Sequence, residues 1–145
     1  MTVLVTGATG FLGGHVARLL AEQGQRVRIL VRPGRGSTQM DGLQVERVTG
    51  DLRDAASLVA ATEGIEIVYH VAADYRLWAH DPREIYESNV TGTRNLLQAA
   101  KRAGVARFVY TSTVATVAVA HGDALPNEDT ASWLGQMIGH YKRSK

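Results

Sequence analysis

A short aliphatic and β-branched run at positions 2–6 passes directly into glycines at 7, 10 and 13, and then into an amphipathic stretch. This junction limits the fold more than any other feature of the chain. The apolar run reads as a buried strand, the apolar face recurring every three to four residues reads as a helix, and the glycines form the turn between them. Gly7 permits a tight turn, Gly10 lets a ligand come close to the backbone, and Gly13 lets the helix lie against the sheet. The free N–H groups and the dipole at the start of that helix favour an anion, and a pyrophosphate suits the site. The spacing is GxxGxxG rather than GxGxxG, and glycines at this spacing also occur in purely structural turns. Their place between strand and helix favours binding.

The same alternation continues along the chain. Strands are predicted at 2–6, 26–31, 44–49, 66–70 and 107–111, and helices at 11–23, 55–61 and 82–103, with Asp54 as an N-cap and Gly24 and Gly104 as stops. Several strands are nearly continuous apolar runs, as expected when both faces are covered. The fold class that follows is α/β: a Rossmann-like, doubly wound parallel sheet with helices on both faces. The Pro-, Gly- and Ser-rich stretch 33–42 reads as a loop, and 121–129 as a polar connection. A last helix is expected from about residue 131 and is still running at Lys145. On that reading residues 1–145 form one domain that stops before its substrate-binding part.

Composition narrows the partners. With 16 basic against 14 acidic side chains, a formal charge of +2 and no dense basic run, neither a nucleic acid nor a membrane surface is an expected partner. Cysteine is absent, which excludes disulfides, a thiol nucleophile and thiolate metal ligands. The histidines at 15, 70, 80, 121 and 140 lack metal-ligand spacing, so no metal site is predicted. The first residues carry no basic leader, and the apolar run 114–120 falls far short of the ~20 residues that span a bilayer, so a cytoplasmic protein is expected.

The segment Thr6-Gly7-Ala8-Thr9-Gly10-Phe11-Leu12-Gly13 resembles the TGxxGxxG motif of extended short-chain dehydrogenases/reductases, the NAD-dependent epimerase/dehydratase superfamily. The resemblance runs on in the family's order through Gly50-Asp51-Leu52-Arg53-Asp54, His70-Val71-Ala72-Ala73, Asn89-Val90-Thr91-Gly92-Thr93, Thr111-Ser112-Thr113 and Tyr141-Lys142-Arg143-Ser144-Lys145. More narrowly, residues 73–78 and 138–145 resemble dihydroflavonol-reductase-like proteins called hopanoid-associated sugar epimerases.

The resemblance implies an NAD(P)-binding Rossmann domain. Its cofactor-binding residues would be Gly7, Thr9, Gly10, Phe11, Leu12 and Gly13 at the turn, Asp51 on the adenine amino group with the Leu52 backbone beside it, Ala72 and Ala73 near ribose and phosphates, and Thr111. Asp51 or Asp54 also suits a helix cap, and both roles can hold. Asn89 either touches the cofactor or supports the catalytic Lys through water, or simply packs beside Gly92. Tyr75 and Trp78 either line a substrate pocket or pack in the interior. A homodimer through helices 82–103 and 131 onward is also implied.

The residue ending the second strand discriminates the two nicotinamide cofactors: a carboxylate bonds the ribose 2′-hydroxyl, a guanidinium a 2′-phosphate. Arg32 stands there with Arg35 after it, and no acid appears until Asp41. The alternative is that both arginines merely solvate a loop. NADP(H) is therefore expected, with NAD(H) as the alternative.

Tyr141 and Lys145 are four residues apart and share a helix face. Reducing a ketone needs a proton donor, and a free phenol, at a pKa of about 10, is a poor one until a neighbouring ammonium favours its anion. By resemblance Thr113, or else Ser112, polarises the carbonyl, and Tyr141 and Lys145 also hold the nicotinamide ribose. The catalytic set is thus Thr113, Tyr141 and Lys145. Three functions follow: an NADP(H)-dependent ketone/alcohol oxidoreductase, a sugar or sugar-nucleotide epimerase/dehydratase retaining its NAD(P), or a non-catalytic dinucleotide sensor. The substrate would be a small ketone, alcohol or sugar derivative, and the 145 residues alone are expected to turn over poorly.

Overall fold

The computed structural model describes residues 1–34, 40–117 and 125–145. Five strands, β1 Thr2–Thr6, β2 Arg26–Val31, β3 Val45–Thr49, β4 Ile67–His70 and β5 Arg107–Tyr110, form one sheet in the order β3-β2-β1-β4-β5. Every pairing is parallel. The order reverses between β1 and β4, and ligands of such sheets bind in the crevice beyond that reversal. Three strands are one residue shorter than the pattern predicted, a difference confined to their ends.

Alternation along β1 divides the core into two. Val3 and Val5, with Ala8, Ala17, Val27, Ile29 and Met40, pack under α1 (Phe11–Glu22). Leu4, with Leu30, Leu58, Val68 and Leu96, packs under α2 (Ser57–Thr62) and α4 (Gly92–Arg102) on the other face. Both faces of the central strand are dry, which is why its sequence is apolar without a break. Each large aliphatic residue buried in this way contributes ~1.5–3 kcal/mol.

The helix predicted at 82–103 forms as α3 (Arg83–Tyr86), a π turn (Glu87–Thr91) and α4 in succession. Helix α2 starts two residues later than expected, although the Asp54 carboxylate still accepts from the Ala56 N–H at 3.1 Å. The helix expected from 131 does not form. Trp133 is extended, Leu134–Gln136 make a single 3-10 turn, and Gly139 at φ 85° breaks the chain again before α5 (His140–Ser144). Two glycines, Gly135 and Gly139, lie inside what looked like one amphipathic period. Arg35 and residues 121–124 lie outside the described residues. Among the described residues no helix is long and apolar enough to cross a membrane.

Candidate functional site

The ends of β1 and β4 meet at the crevice. Gly7 turns the chain with φ 74°, and a Cβ there would sit 2.7 Å from the Ala72 nitrogen. A Cβ on Gly13 would run into the Gly7 carbonyl oxygen. Glycine at 7 and 13 is therefore demanded by the close approach of three backbone segments. The Gly10 N–H donates to the Gly7 carbonyl at 2.9 Å, and Gly10 is the N-cap of α1 with no side-chain cap bond. Gly10, Phe11 and Leu12 are exposed and Thr9 is half-buried. The first turn of α1 is thus open, with its donors available to an anion.

Ala72 and Ala73 are half-buried, and the Ala72 N–H donates to the Thr6 hydroxyl oxygen at 3.2 Å. That hydroxyl also lies 2.7 Å from His70 Nδ1, while His70 Nε2 lies 2.9 Å from the Thr93 hydroxyl on α4. Burial, assisted by the charge of Lys145, lowers the His70 pKa to about 4, so the imidazole is neutral.

Asp51 and Arg32 lie at the ends of neighbouring strands. Arg32 is exposed, and its charge reaches both Asp51 and Asp74. Both Asp51 oxygens are held by Arg53, at 3.0 Å from Nε and 2.8 Å from Nη2, and this hydrogen bonding keeps the carboxyl below its ordinary range. Leu52 sits against Gly92, where an added Cβ would come within 2.8 Å of Leu52 Cβ, and its carbonyl accepts from Asn95 at 3.0 Å.

Helix α5 carries Tyr141 and Lys145. Lys145 Nζ donates to the Thr111 carbonyl at 2.8 Å and stands 4.5 Å above the centre of the Tyr110 ring. Burial lowers its pKa, and Tyr141 partly counteracts this. Tyr141 is half-buried. Thr113, three residues beyond β5, is the N-cap of a 3-10 turn, its hydroxyl oxygen accepting from the Ala115 N–H at 3.2 Å. The hydroxyl proton is not used in that bond and can be donated elsewhere. Ser112 is exposed, 3.4 Å from the Thr116 hydroxyl. Thr113 and Tyr141 are not hydrogen-bonded to each other among the described residues.

Asn89 resolves towards a structural link. Buried in the π turn, its amide accepts from the Asp74 N–H at 2.7 Å and donates to the Asp74 carbonyl and to the Ser144 hydroxyl, both at 2.8 Å. One side chain thus ties the segment after β4 to α5, one residue before Lys145. The turn's extra residue rotates Asn89 inward, a common setting for π turns at functional sites. The Thr6–His70–Thr93 chain was not anticipated; a histidine closing a mostly apolar strand was its one visible sign. Tyr75 and Trp78, for which interior packing was one option, are exposed instead.

The profile of the NAD dependent epimerase/dehydratase family matches residues 3–145. The chain belongs to this family. Its sheet, reversal and glycine turn are those of the extended short-chain dehydrogenases/reductases, whose members include NAD(P)-dependent oxidoreductases and epimerases. A protein of Synechocystis sp. named for dihydroflavonol 4-reductase is 43% identical over 141 residues, covering 97% of this chain and 41% of that protein. Sterol demethylase protein B of Methylococcus capsulatus is 47% identical over 119 residues, covering 82% of this chain and 36% of its own. The crystal structure of the UDP-glucose 4-epimerase of Thermus thermophilus in complex with NAD superposes with a TM-score of 0.84 at 30% identity, covering 100% of this chain and 47% of that one. The chain spans less than half the length of each of these relatives.

Proposed function

We propose that residues 1–145 are the dinucleotide-binding domain of an NADP(H)-dependent oxidoreductase acting on an apolar ketone or alcohol. The observation that carries this reading is the setting of Lys145. Its ammonium is held by the Thr111 carbonyl and the Tyr110 ring, on the same short helix as Tyr141. A fixed positive charge beside Tyr141 stabilises negative charge developing on the phenol oxygen, so Tyr141 can give a proton to, or take one from, the substrate oxygen. Thr113 donates its free hydroxyl proton to the same oxygen. The nicotinamide dinucleotide, when bound, supplies or accepts the hydride.

The glycine turn fits a pyrophosphate, because its backbone is bare where a Cβ would collide and the first turn of α1 is open. Exposed Arg32 in the place of a ribose-binding acid favours the 2′-phosphate. Asp51, Leu52, Ala72, Ala73 and Thr111 complete the proposed cofactor contacts. An apolar substrate is supported by Tyr75, Leu77 and Trp78, which are 78%, 82% and 77% exposed just beyond the β4 end, and by Ile138, 83% exposed before α5. The sterol-related name of the Methylococcus protein points the same way.

The second reading, a sugar-nucleotide epimerase, is favoured by the likeness to the UDP-glucose 4-epimerase. Arg32 weighs against it. The Tyr141–Lys145 pair weighs against a non-catalytic sensor. Incubating the protein that carries these residues with NADPH and apolar ketones tests the proposal: net nicotinamide oxidation is expected and excludes a pure epimerase. Tyr141→Phe is expected to abolish turnover while the dinucleotide still binds, and turnover surviving in that variant refutes the mechanism. Arg32→Ala is expected to weaken NADP+ binding at least about tenfold, with little change for NAD+.

A further inference from the structure

The backbone ladder between β1 and β4 stops at the pair Thr6 and His70. Beyond it, Gly7 and Ala72 still lie close together at the crevice, with no further backbone pairing in that ladder. The tie that continues past the end is made by side chains: the Ala72 N–H on the Thr6 hydroxyl at 3.2 Å, that hydroxyl against His70 Nδ1 at 2.7 Å, and His70 Nε2 against the Thr93 hydroxyl at 2.9 Å. A neutral imidazole has one N–H and one lone pair, so one threonine donates to it and the other accepts from it. His70 is 1% exposed and Thr6 is fully buried, so no water competes for the bond between them. The ring is also flanked by Phe108 and Tyr110, with centroids 5.9 and 5.6 Å away, and Tyr110 in turn lies beneath the Lys145 ammonium.

We propose that His70 is a positioning residue for the dinucleotide: through Thr6 and Thr93 it locks the ends of β1 and β4 to α4 at the spacing that the pyrophosphate requires. The clamp lies where Gly7 and Ala72 face each other, with a Cβ on Gly7 only 2.7 Å from the Ala72 nitrogen. A drift of a few tenths of an ångström there changes how closely the backbone can approach a phosphate. The adenine end, at β2 and β3, lies on the other side of β1 and is not tied by these bonds. A residue that only filled space would need neither hydroxyl.

The proposal rests on the dinucleotide reading of the glycine turn but not on Arg32, and the test separates them. Calorimetric titration of the protein that carries these residues uses NADP+, NAD+, and adenosine 2′-phosphate, which has no 5′-phosphate to reach the turn. Thr93→Val removes one partner of the ring without changing volume. This variant and His70→Leu are expected to weaken NADP+ about tenfold, the equivalent of one buried hydrogen bond, and to leave adenosine 2′-phosphate within about twofold. His70→Asn, which keeps one donor and one acceptor, is expected to recover part of the loss. Unchanged NADP+ affinity in folded Thr93→Val overturns the clamp, as does equal weakening of both probes, which marks general loosening. If the wild-type chain prefers NAD+, only the Arg32 assignment falls, and the same comparison runs with NAD+ and adenosine. A wild-type chain that takes up neither dinucleotide overturns the reading of the turn and the clamp together.

Discussion

Acidification tests the buried imidazole directly. Burial, and then the charge of Lys145, takes the His70 pKa from the ordinary 6.5 down to about 4. A histidine depressed in this way binds its proton less readily in the folded than in the unfolded chain. Its contribution to stability is therefore fully present above the unfolded value and is lost as pH falls from 6.5 towards about 4. That interval corresponds to about 3 kcal/mol, a sizeable part of the ~5–15 kcal/mol that stabilises a small domain. The assay is urea unfolding at a series of pH values between about 7 and about 4.5 for the wild type and His70→Asn, whose amide does not titrate. Carboxylates titrate in both proteins and cancel in the difference. The wild type is expected to lose about 2–3 kcal/mol more than the variant across that range. A difference that stays flat, or that grows in favour of the wild type on acidification, refutes the assignment of a neutral, desolvated ring.

Three further outcomes follow from the geometry. Gly13→Ala places a methyl against the Gly7 carbonyl, so it is expected to cost about 1–3 kcal/mol in urea unfolding and to depress dinucleotide affinity in titration. Asn89→Leu leaves the Asp74 N–H and carbonyl without their partner and cuts the tie to the Ser144 hydroxyl, and is expected to cost at least about 2 kcal/mol and to raise hydrogen exchange in α5 before exchange in the strands. Arg28 on β2 donates to the carbonyls of Ala60, Ala61 and Glu63 at the end of α2 and pairs with Glu46 at 2.9 Å. Arg28→Met is accordingly expected to cost about 1.5–3 kcal/mol in thermal or urea unfolding while dinucleotide affinity stays unchanged.

What could be read without coordinates was whatever repeats over a few neighbouring residues. The apolar run 2–6, the glycines after it and the amphipathic stretch beyond them specify strand, turn and helix locally, and the later strands repeat the pattern. The same kind of reading failed at 131–145, because an amphipathic period carries no information about a left-handed glycine inside it. Gly139 at φ 85° and the extended Trp133 confine α5 to His140–Ser144. Which groups meet at the crevice was decided by the tertiary arrangement. His70 finds Thr6 across 64 residues and Thr93 across 23, and Asn89 finds Ser144 across 55. Residue types at such separations say only that a polar group must find a partner once buried. The winding of β1 beside β4, and the extra residue in the π turn, determine which partner it is. The glycine turn was therefore legible as a tight junction of strand and helix, while the side-chain ties across it came into view only with the chain folded.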